Sequence, residues 1–423
     1  MHHPYVRSGQ AITWILMIAL VAFGINYHIS KTLLHLSGIV AISIWFRVLL
    51  APILNADHQR SISVNVRDPG VILAGLLLTS AIIVFGMTAL SDASMSVRFR
   101  KDFFVAALCF ALVLPVCQVS QTSYRMLYWL FPIAAMTMAI PGISDHLTRG
   151  SQYYRTSGTI DLPIIYGMNL AIVIAATVTL CARSGTLLSI LSAVAASAIG
   201  FYAVILSGSR GPVLSLIVIV LTGVALYGYK RLGLLKAVAL TITFLVAMMA
   251  LVTQTSIYKR FEIGLKNVEE STANSSIGLR LEMWKGARDI VIEHPLTGSG
   301  VGKHNEILAQ KHEIDPDYIH ENATKFIHLH NDVLNAVTWM GIPLGLLFIA
   351  FVFYPFIWAS FQRFYGISAV VAAVSMVYII NGMTNTPSIR ATSLTLLLLV
   401  MTLLLRHQRL SESGETPSTA SSR

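Results

Sequence analysis

Repeated apolar runs of about 20 residues constrain the fold of this chain more than any other feature. A helix of that length crosses roughly 30 Å of hydrocarbon, so each run is a candidate transmembrane helix. The first run, Ala11 to Tyr27, has no clear small-residue cleavage motif after it, so we assign it as a spanning helix and not as a cleaved signal peptide. Twelve spans are predicted, at about 11–27, 32–54, 70–90, 103–119, 124–141, 160–181, 186–206, 211–229, 234–253, 331–357, 366–383 and 388–405.

The composition excludes an ordinary soluble protein. Hydrophobic residues make up 55% of the chain and charged residues only 12%, and the mean hydropathy is +0.68. The net charge of +10 is spread over short connecting segments, so it indicates membrane topology and not nucleic-acid binding. Cys109, Cys117 and Cys181 all lie in apolar runs, where we expect buried thiols that act as small hydrophobes and no disulfide or zinc framework.

The charge distribution predicts which side of the membrane each loop faces. An even number of spans puts both termini on one side of the membrane. The loops on that side carry more basic residues, which predicts that it is the cytoplasmic side. Arg98, Arg100 and Lys101 are exceptions, since they lie on the opposite side. The predicted fold is therefore an all-α polytopic membrane protein with about twelve transmembrane helices. Spans one to nine lie in residues 1–253, a large periplasmic loop follows at 254–330, spans ten to twelve occupy 331–405, and a disordered cytoplasmic tail covers 406–423.

The long loop carries helical signals of its own. Apolar side chains recur at helical spacing between Ile277 and Ile292, and Pro295 and a glycine-rich run follow. This pattern predicts an amphipathic helix that lies along the bilayer surface or packs on the helix ends. The stripe assigned to its apolar face consists of Ile277, Leu281, Trp284, Arg288 and Val291.

Two imidazoles, an amide and a carboxylate crowd together where the loop meets the tenth span. They belong to His328, His330, Asn331 and Asp332. A histidine side chain can take up a proton near neutral pH, and Asn331 or Asp332 can cap the first turn of the following helix. The alternative is that each histidine is an ordinary residue of the membrane interface.

Three arginines are candidates for binding phosphate on the same side of the membrane. Arg210 lies in a tight turn between two spans, and Arg280 and Arg288 are two turns apart on the amphipathic helix. The guanidinium group offers a planar fork of donors that fits phosphate oxygens. As an alternative, Arg210 is a basic residue at a span end and the other two form a solvated helix face. Further polar residues on outward loops, to which no role is assigned, are Arg155, Asn385 and Arg390.

A metal centre is the rival chemistry. Six histidines lie between residues 294 and 330, and imidazole is a common zinc ligand. Their spacing does not place several ligands on one helix face, no cysteine accompanies them, and Asp315-Pro-Asp317 is better explained as a turn. No nucleotide-binding or serine-hydrolase motif is present either, so the sequence predicts neither a metal nor a cofactor.

Several of these motifs, taken in order, resemble the O-antigen ligases of Gram-negative bacteria, which are grouped with the O-antigen polymerases. The matching segments are Ser209-Arg210-Gly211, Gly278-Leu-Arg280-Leu-Glu-Met-Trp284, Glu293-His-Pro-Leu-Thr-Gly-Ser-Gly300, His328-Leu-His330-Asn331-Asp332 and Trp339-Met-Gly341-Ile-Pro-Leu-Gly345. The resemblance implies a twelve-helix inner-membrane protein, similar to membrane glycosyltransferases of the GT-C class. It implies transfer of O-polysaccharide from undecaprenyl pyrophosphate to a sugar hydroxyl of lipid A-core at the periplasmic face, by inversion and without a metal.

The resemblance also implies roles for particular residues. The essential histidine of the family corresponds to His330, and its essential arginines to Arg210 and Arg280. The resulting hypothesis makes His330 a general base on the acceptor hydroxyl. Arg210 and Arg280 would hold the donor pyrophosphate, with Arg288 as a further phosphate contact. His328, Asn331 and Asp332 would support the base or the acceptor.

Two alternative functions stay open at this point. Polymerases use the same lipid-linked donor, and only the long loop late in the chain favours a ligase. A transporter of lipid-linked sugars would place ionisable residues near the midplane of its spans, whereas here they cluster at one face.

Overall fold

The computed structural model describes residues 4–50, 68–89, 96–149, 155–160, 162–181, 186–253, 258, 262, 276–364 and 366–412. Throughout these ranges the regular secondary structure is helical, without a strand. Before the loop come α1 (Pro4–Ile25), α2 (Tyr27–Leu50), α3 (Pro69–Ala89), α4 (Ser96–Val116), α5 (Gln121–Arg149), α6 (Pro163–Cys181), α7 (Leu187–Leu206), α8 (Arg210–Leu232) and α9 (Leu234–Thr253). The loop contains α10 (Ser276–Glu293), α11 (His304–Ile314) and α12 (Glu321–Thr324). The chain continues with α13 (Asp332–Phe361), α14 (Ile367–Gly382), a short 3-10 helix (Pro387–Ile389) and α15 (Ala391–Glu412).

Apolar helices occupy the positions of the predicted spans. Among the described residues, six helices are long and apolar enough to cross a membrane, and six more contain shorter apolar segments. Each predicted span overlaps one of these twelve, so the all-helical, multi-pass architecture is confirmed, while the number of helices that cross the bilayer stays a prediction. The six longer spans are Ser8–Ile25, Tyr27–Phe46, Thr122–Arg149, Pro163–Cys181, Leu187–Leu206 and Asp332–Phe361.

The predicted tail begins too early. Helix α15 continues to Glu412, because Arg406 to Leu410 contains no helix breaker and follows directly on an apolar helix. Arg406 is also buried, and its guanidinium forms an ion pair of 3.1 Å with Asp68, the residue that caps α3. Residues 406–412 are therefore helical and not a disordered tail, and 413–423 lie outside the described residues.

The three thiols behave as the sequence predicts. Cys109, Cys117 and Cys181 are all free and buried. The Sγ atom of Cys117 lies 3.3 Å from the hydroxyl of Thr13, which also donates to the Gln118 carbonyl at 2.6 Å. Here the thiols act as packing and hydrogen-bonding groups between helices.

The loop helices form a small apolar core separate from that of the spans. Helix α10 is confirmed, but its buried face is rotated from the predicted stripe. Met283, Ala287 and Ile290 are fully buried, whereas Leu281 is half exposed. The difference arises because α10 packs on α11, α12 and Leu329 within the loop, which selects a different face from the one read off the apolar spacing.

A backbone-to-backbone contact fixes this loop domain onto α13. The helix bends at Gly341, whose φ of 76° is left-handed. The segment that follows α10 packs against the bend, with Ser299 N–H donating to the Thr338 carbonyl and Ile342 N–H donating to the Pro295 carbonyl, both at 2.7 Å. Backbone groups of residues 295–300 thus form hydrogen bonds with backbone groups of residues 338–342.

Alanine at Gly298 should destabilise the protein. Gly298 has a φ of 64°, and a Cβ atom there would lie 2.6 Å from the Thr338 carbonyl oxygen and the Gly341 nitrogen. We expect Gly298→Ala to lower the free energy of unfolding by at least about 1–3 kcal/mol, seen as a lower midpoint of thermal unfolding in detergent. Gly223→Ala is the matched control, since a Cβ atom there meets nothing within 4 Å and alanine favours the helix. Equal midpoints for the two variants would contradict this packing.

Candidate active site

The link between α12 and α13 carries the two histidines and is fixed at both ends. Asn331 caps α13, with its side-chain oxygen accepting from Leu334 N–H at 3.1 Å, while its amide nitrogen donates to the Met383 carbonyl at 3.3 Å. Between the histidines, Leu329 N–H donates to the Asn335 side chain at 2.9 Å. The Leu329 carbonyl accepts from the indole of Trp284 on α10 at 2.8 Å. The predicted cap is therefore Asn331.

Asp332 anchors the same link to the segment before α15. Its Oδ2 atom accepts from the Ser388 hydroxyl at 2.7 Å and from Ser388 N–H at 3.3 Å. The Tyr378 hydroxyl in turn donates to the Ser388 hydroxyl at 3.0 Å. Asp332 is buried, and its Oδ1 atom has no hydrogen-bond partner among the described residues. Through Oδ2 it holds the histidine link against Ser388.

The two imidazoles face each other in a partly buried position. The ring centroids of His328 and His330 lie 4.5 Å apart, and the ring of Phe326 meets His330 edge-on at 5.6 Å. His330 has a φ of 53°, a left-handed conformation that is uncommon for residues other than glycine, although histidine, asparagine and aspartate adopt it more often than the rest. Strained backbone of this kind clusters at functional sites, where surrounding contacts hold it in place.

Arg280 lies close enough to Arg210 and to His330 for its charge to interact with both side chains. The Arg280 guanidinium is partly buried, and burial together with the charge of Arg210 lowers its pKa. Its charge in turn is one of the causes that lower the pKa of His330. Arg280 therefore interacts electrostatically with both Arg210 and His330, two residues predicted from distant parts of the chain.

The turn that presents Arg210 is built by contacts that the sequence does not reveal. Gly208 has a φ of 61°. The guanidinium of Arg155 donates from Nε to the Ser207 carbonyl at 2.9 Å and from Nη2 to the Ser209 hydroxyl at 3.0 Å. Arg155, which received no role from the sequence, is therefore a positioning residue for the Arg210 turn.

The start of α8 also packs closely on the end of α14. A Cβ atom at Gly211 would approach the Thr384 hydroxyl to 2.9 Å and the Asn381 side chain to 3.0 Å. Asn381 donates to the Ser215 hydroxyl at 3.2 Å. Because Asn331 binds the neighbouring Met383 carbonyl, the end of α14 joins the arginine turn to the histidine link.

Burial keeps both histidines neutral. It lowers the pKa of His330 to about 4, with Arg280 and Arg390 adding to the shift and the Asn385 side chain opposing it. It lowers the pKa of His328 to about 3, with the charges of His330 and Arg390 as further causes. At neutral pH both rings can therefore accept a proton.

This electrostatic setting predicts a specific pH profile. A lowered pKa means that the neutral form of His330 persists down to about pH 4. If His330 is the base, kcat/KM, which reports the free enzyme, stays nearly constant as the pH falls from about 8 to about 5 and decreases only below that. Transfer rates at each pH, corrected for inactivation by re-assay at neutral pH, measure this. A decrease centred near pH 6.5, the ordinary value for histidine, would contradict the assignment.

Arg390 and Asn385 are site residues to which the sequence gave no role. Both lie between α14 and α15, and both influence the pKa of His330. The Nε atom of Arg390 is buried and has no hydrogen-bond partner among the described residues. In the sequence, Arg390 is only a single arginine at the start of an apolar helix. Such an arginine is equally typical of a residue that anchors the helix at the membrane surface.

Arg288 is not brought to this site. Its side chain is 70% exposed and pairs with Asp289 at 2.8 Å, and the Tyr318 hydroxyl donates to the other Asp289 oxygen at 2.7 Å. It is also absent from the charges that shift the pKa of either site histidine. The regular spacing from Arg280 suggested a common role, but the two arginines lie in different environments.

Of the other loop histidines, His304 lies near the pair, since its charge is among the causes that lower the pKa of His328. Within the part of the chain that the structure describes, no group of three or more His, Cys, Asp or Glu side chains could hold a metal ion. His304 is buried, and its Nδ1 atom accepts from the Trp339 indole at 2.9 Å. His312 contacts the Ile319 carbonyl through Nδ1, and His320 caps α12.

Fold and site together define a multi-pass membrane protein with a cationic, histidine-containing site at the ends of its helices. Residues 195–349, which include both site arginines on α8 and α10 and both histidines, match the family model described as O-antigen ligase. The resemblance seen in the motifs is therefore confirmed for this part of the chain.

A relative from Haemophilus influenzae, described as an uncharacterized protein, is 28% identical over 173 residues. The similarity covers 37% of this chain and 42% of that protein. The chain therefore matches less than half the length of this relative.

Proposed function

We propose that this protein is an O-antigen ligase. In this account it transfers O-polysaccharide from undecaprenyl pyrophosphate to a sugar hydroxyl of lipid A-core, at the periplasmic face of the inner membrane of a Gram-negative bacterium. The observation that carries the proposal is the convergence of Arg210, Arg280 and His330 inside the region that matches the family. Two fork-shaped cations beside a neutral imidazole are suited to a pyrophosphate leaving group and an acceptor hydroxyl.

The reaction proceeds by one displacement. The acceptor oxygen forms a bond to the anomeric carbon of the donor as the bond from that carbon to the phosphate oxygen breaks. His330 accepts the proton of the acceptor hydroxyl, and undecaprenyl pyrophosphate leaves with the bonding electron pair. Attack from the side opposite the leaving group inverts the anomeric configuration.

The arginines act on the leaving group. Negative charge builds on the pyrophosphate as the glycosidic bond breaks, and Arg210 and Arg280 stabilise that charge by hydrogen bonds from a partly water-excluded position. In this account they do what a divalent cation does in other glycosyltransferases. His328 and Asn385 orient His330, and Asn331 and Asp332 hold the link that carries it.

A reconstituted transfer assay tests the proposal. Purified protein in detergent receives undecaprenyl-pyrophosphate-linked glycan, lipid A-core and excess EDTA, and the products are separated by gel and mass spectrometry. We expect glycan on lipid A-core. Glycan that lengthens on its own lipid carrier would identify a polymerase, which uses the same donor. Activity that appears only when zinc or manganese replaces EDTA would overturn the metal-independent mechanism.

A further inference from the structure

A cavity of about 640 Å³ opens beside the segment that carries Ser388 and Arg390. It lies among helix ends: the α1–α2 turn, residues 159–165 before and within the start of α6, and the segment from Ser388 to Leu394. Its volume is in the range of sites for small molecules and cofactors. Neither Arg210 nor Arg280 is among its lining residues.

The polar wall of this cavity is suited to an anionic saccharide. Lys31 and Arg390 supply positive charge, and Asp and Glu are absent from its described lining. Tyr27 offers an aromatic face for sugar stacking, and Thr392 adds a hydroxyl group. The buried Nε atom of Arg390, which lacks a partner among the described residues, adds a donor close to this wall.

The cavity also has an apolar wall, part of which is exposed at the protein surface. Ile25 is 60% exposed and Leu162 is 43% exposed, and both lie next to the ends of apolar helices. A ligand that combines a charged, sugar-containing headgroup with acyl chains therefore fits the two walls together. A free phosphate would leave the apolar wall without a partner.

The cavity adjoins the proposed base on the side of Arg390. Ser388 lines the cavity and is hydrogen-bonded to Asp332, which is two residues from His330. Arg390 also lines it, and its charge contributes to lowering the pKa of both site histidines. The charge of Arg280, which itself interacts with Arg210, also lowers the pKa of His330. His330 thus lies within electrostatic reach of both Arg390 and Arg280.

We propose that this cavity binds the phosphorylated saccharide headgroup of the acceptor glycolipid, with Lys31 and Arg390 as its phosphate contacts. The inference rests on the proposed function, because it divides the site between an acceptor side at Lys31 and Arg390 and a donor side at Arg210 and Arg280. A base between the two sides reaches the acceptor hydroxyl as it attacks the donor.

The test measures binding and does not depend on turnover. Lipid A-core, enzymatically dephosphorylated lipid A-core and the undecaprenyl-pyrophosphate-linked donor are each titrated against the full-length protein in detergent. We expect Lys31→Glu to raise the Kd for phosphorylated lipid A-core by at least about tenfold, because it reverses the charge facing the phosphate. The Kd values for the dephosphorylated acceptor and for the donor should change less than about twofold. Lys31→Arg, which keeps the charge, should bind the phosphorylated acceptor as the unmodified protein does.

Lys325→Glu is the matched control, since it makes the same charge change at an exposed loop position paired with Glu321 and outside the cavity. Unchanged acceptor affinity in Lys31→Glu would overturn the proposal, as would weakening by both lysine variants alike. Selective loss of donor binding in Lys31→Glu would assign the cavity to the donor, which also overturns it. Failure of the proposed function would appear elsewhere, as absence of transfer by the unmodified protein in the reconstituted assay.

Discussion

Replacing His330 with asparagine should lower the rate of glycan transfer by about 10²- to 10⁴-fold, the range that a positioned general base contributes. Asparagine tolerates the left-handed backbone conformation found at His330, so this variant removes the proton acceptor with little added backbone strain. Initial rates in the reconstituted assay, at saturating donor and acceptor, measure the effect.

The same variant should retain its fold and its donor affinity. The contacts that fix the link are made by Leu329, Asn331 and Asp332, and none of them uses the His330 side chain. We therefore expect His330→Asn to keep the midpoint of thermal unfolding and the Kd for undecaprenyl pyrophosphate. A His330→Asn protein that transfers glycan at the unmodified rate would remove His330 as the base.

Lysine in place of Arg210 or Arg280 should lower kcat/KM by about 10²- to 10³-fold, as loss of a preorganised oxyanion donor does. Lysine keeps the charge but loses the planar fork that binds two phosphate oxygens at once. The loss should appear mainly in kcat, because the interaction strengthens as charge builds on the leaving group. Kinetics with donor varied at saturating acceptor separate kcat from KM.

Arg288→Lys provides the matched control. It makes the same substitution on the same helix as Arg280→Lys, but at an exposed side chain paired with Asp289. We expect its kcat/KM to stay within about twofold of the unmodified value. If Arg280→Lys and Arg288→Lys had the same kcat/KM, whether high or low, the result would contradict a bidentate phosphate contact specific to Arg280.

The helical architecture could be predicted because the thickness of the hydrocarbon layer sets the length of the apolar runs in the sequence. The predicted spans each overlap an apolar helix, and the loop helix expected between Ile277 and Ile292 runs from Ser276 to Glu293. The rotation of its buried face could not be predicted, since both faces carry apolar residues and the choice depends on packing against Leu308 and Leu329. Helix α15 extends past the predicted span, because Arg406 to Leu410 contains no helix breaker, and the Asp68–Arg406 ion pair holds its buried part.

The candidate site was predictable where histidine or arginine, which are uncommon in apolar sequence, lies near the start of a helix. His330, Arg210 and Arg280 were each identified in this way, and the structure places them together. Arg155 and Arg390 received no role because a single arginine near a span end has the same sequence context whether it anchors the helix, supports a turn or faces a ligand. Arg288 is the reverse case: regular spacing suggested a phosphate contact, which stays a prediction that its exposed pairing with Asp289 does not support.

The most direct test of the account is a structure of the protein with the undecaprenyl-pyrophosphate-linked donor bound, determined by cryo-electron microscopy in a lipid nanodisc. The account predicts that the guanidinium groups of Arg210 and Arg280 both lie within hydrogen-bond distance of pyrophosphate oxygens, at about 2.7–2.9 Å. The anomeric carbon should face His330, with room between them for an acceptor hydroxyl. A pyrophosphate bound away from both arginines, or an anomeric carbon directed away from His330, would contradict the account.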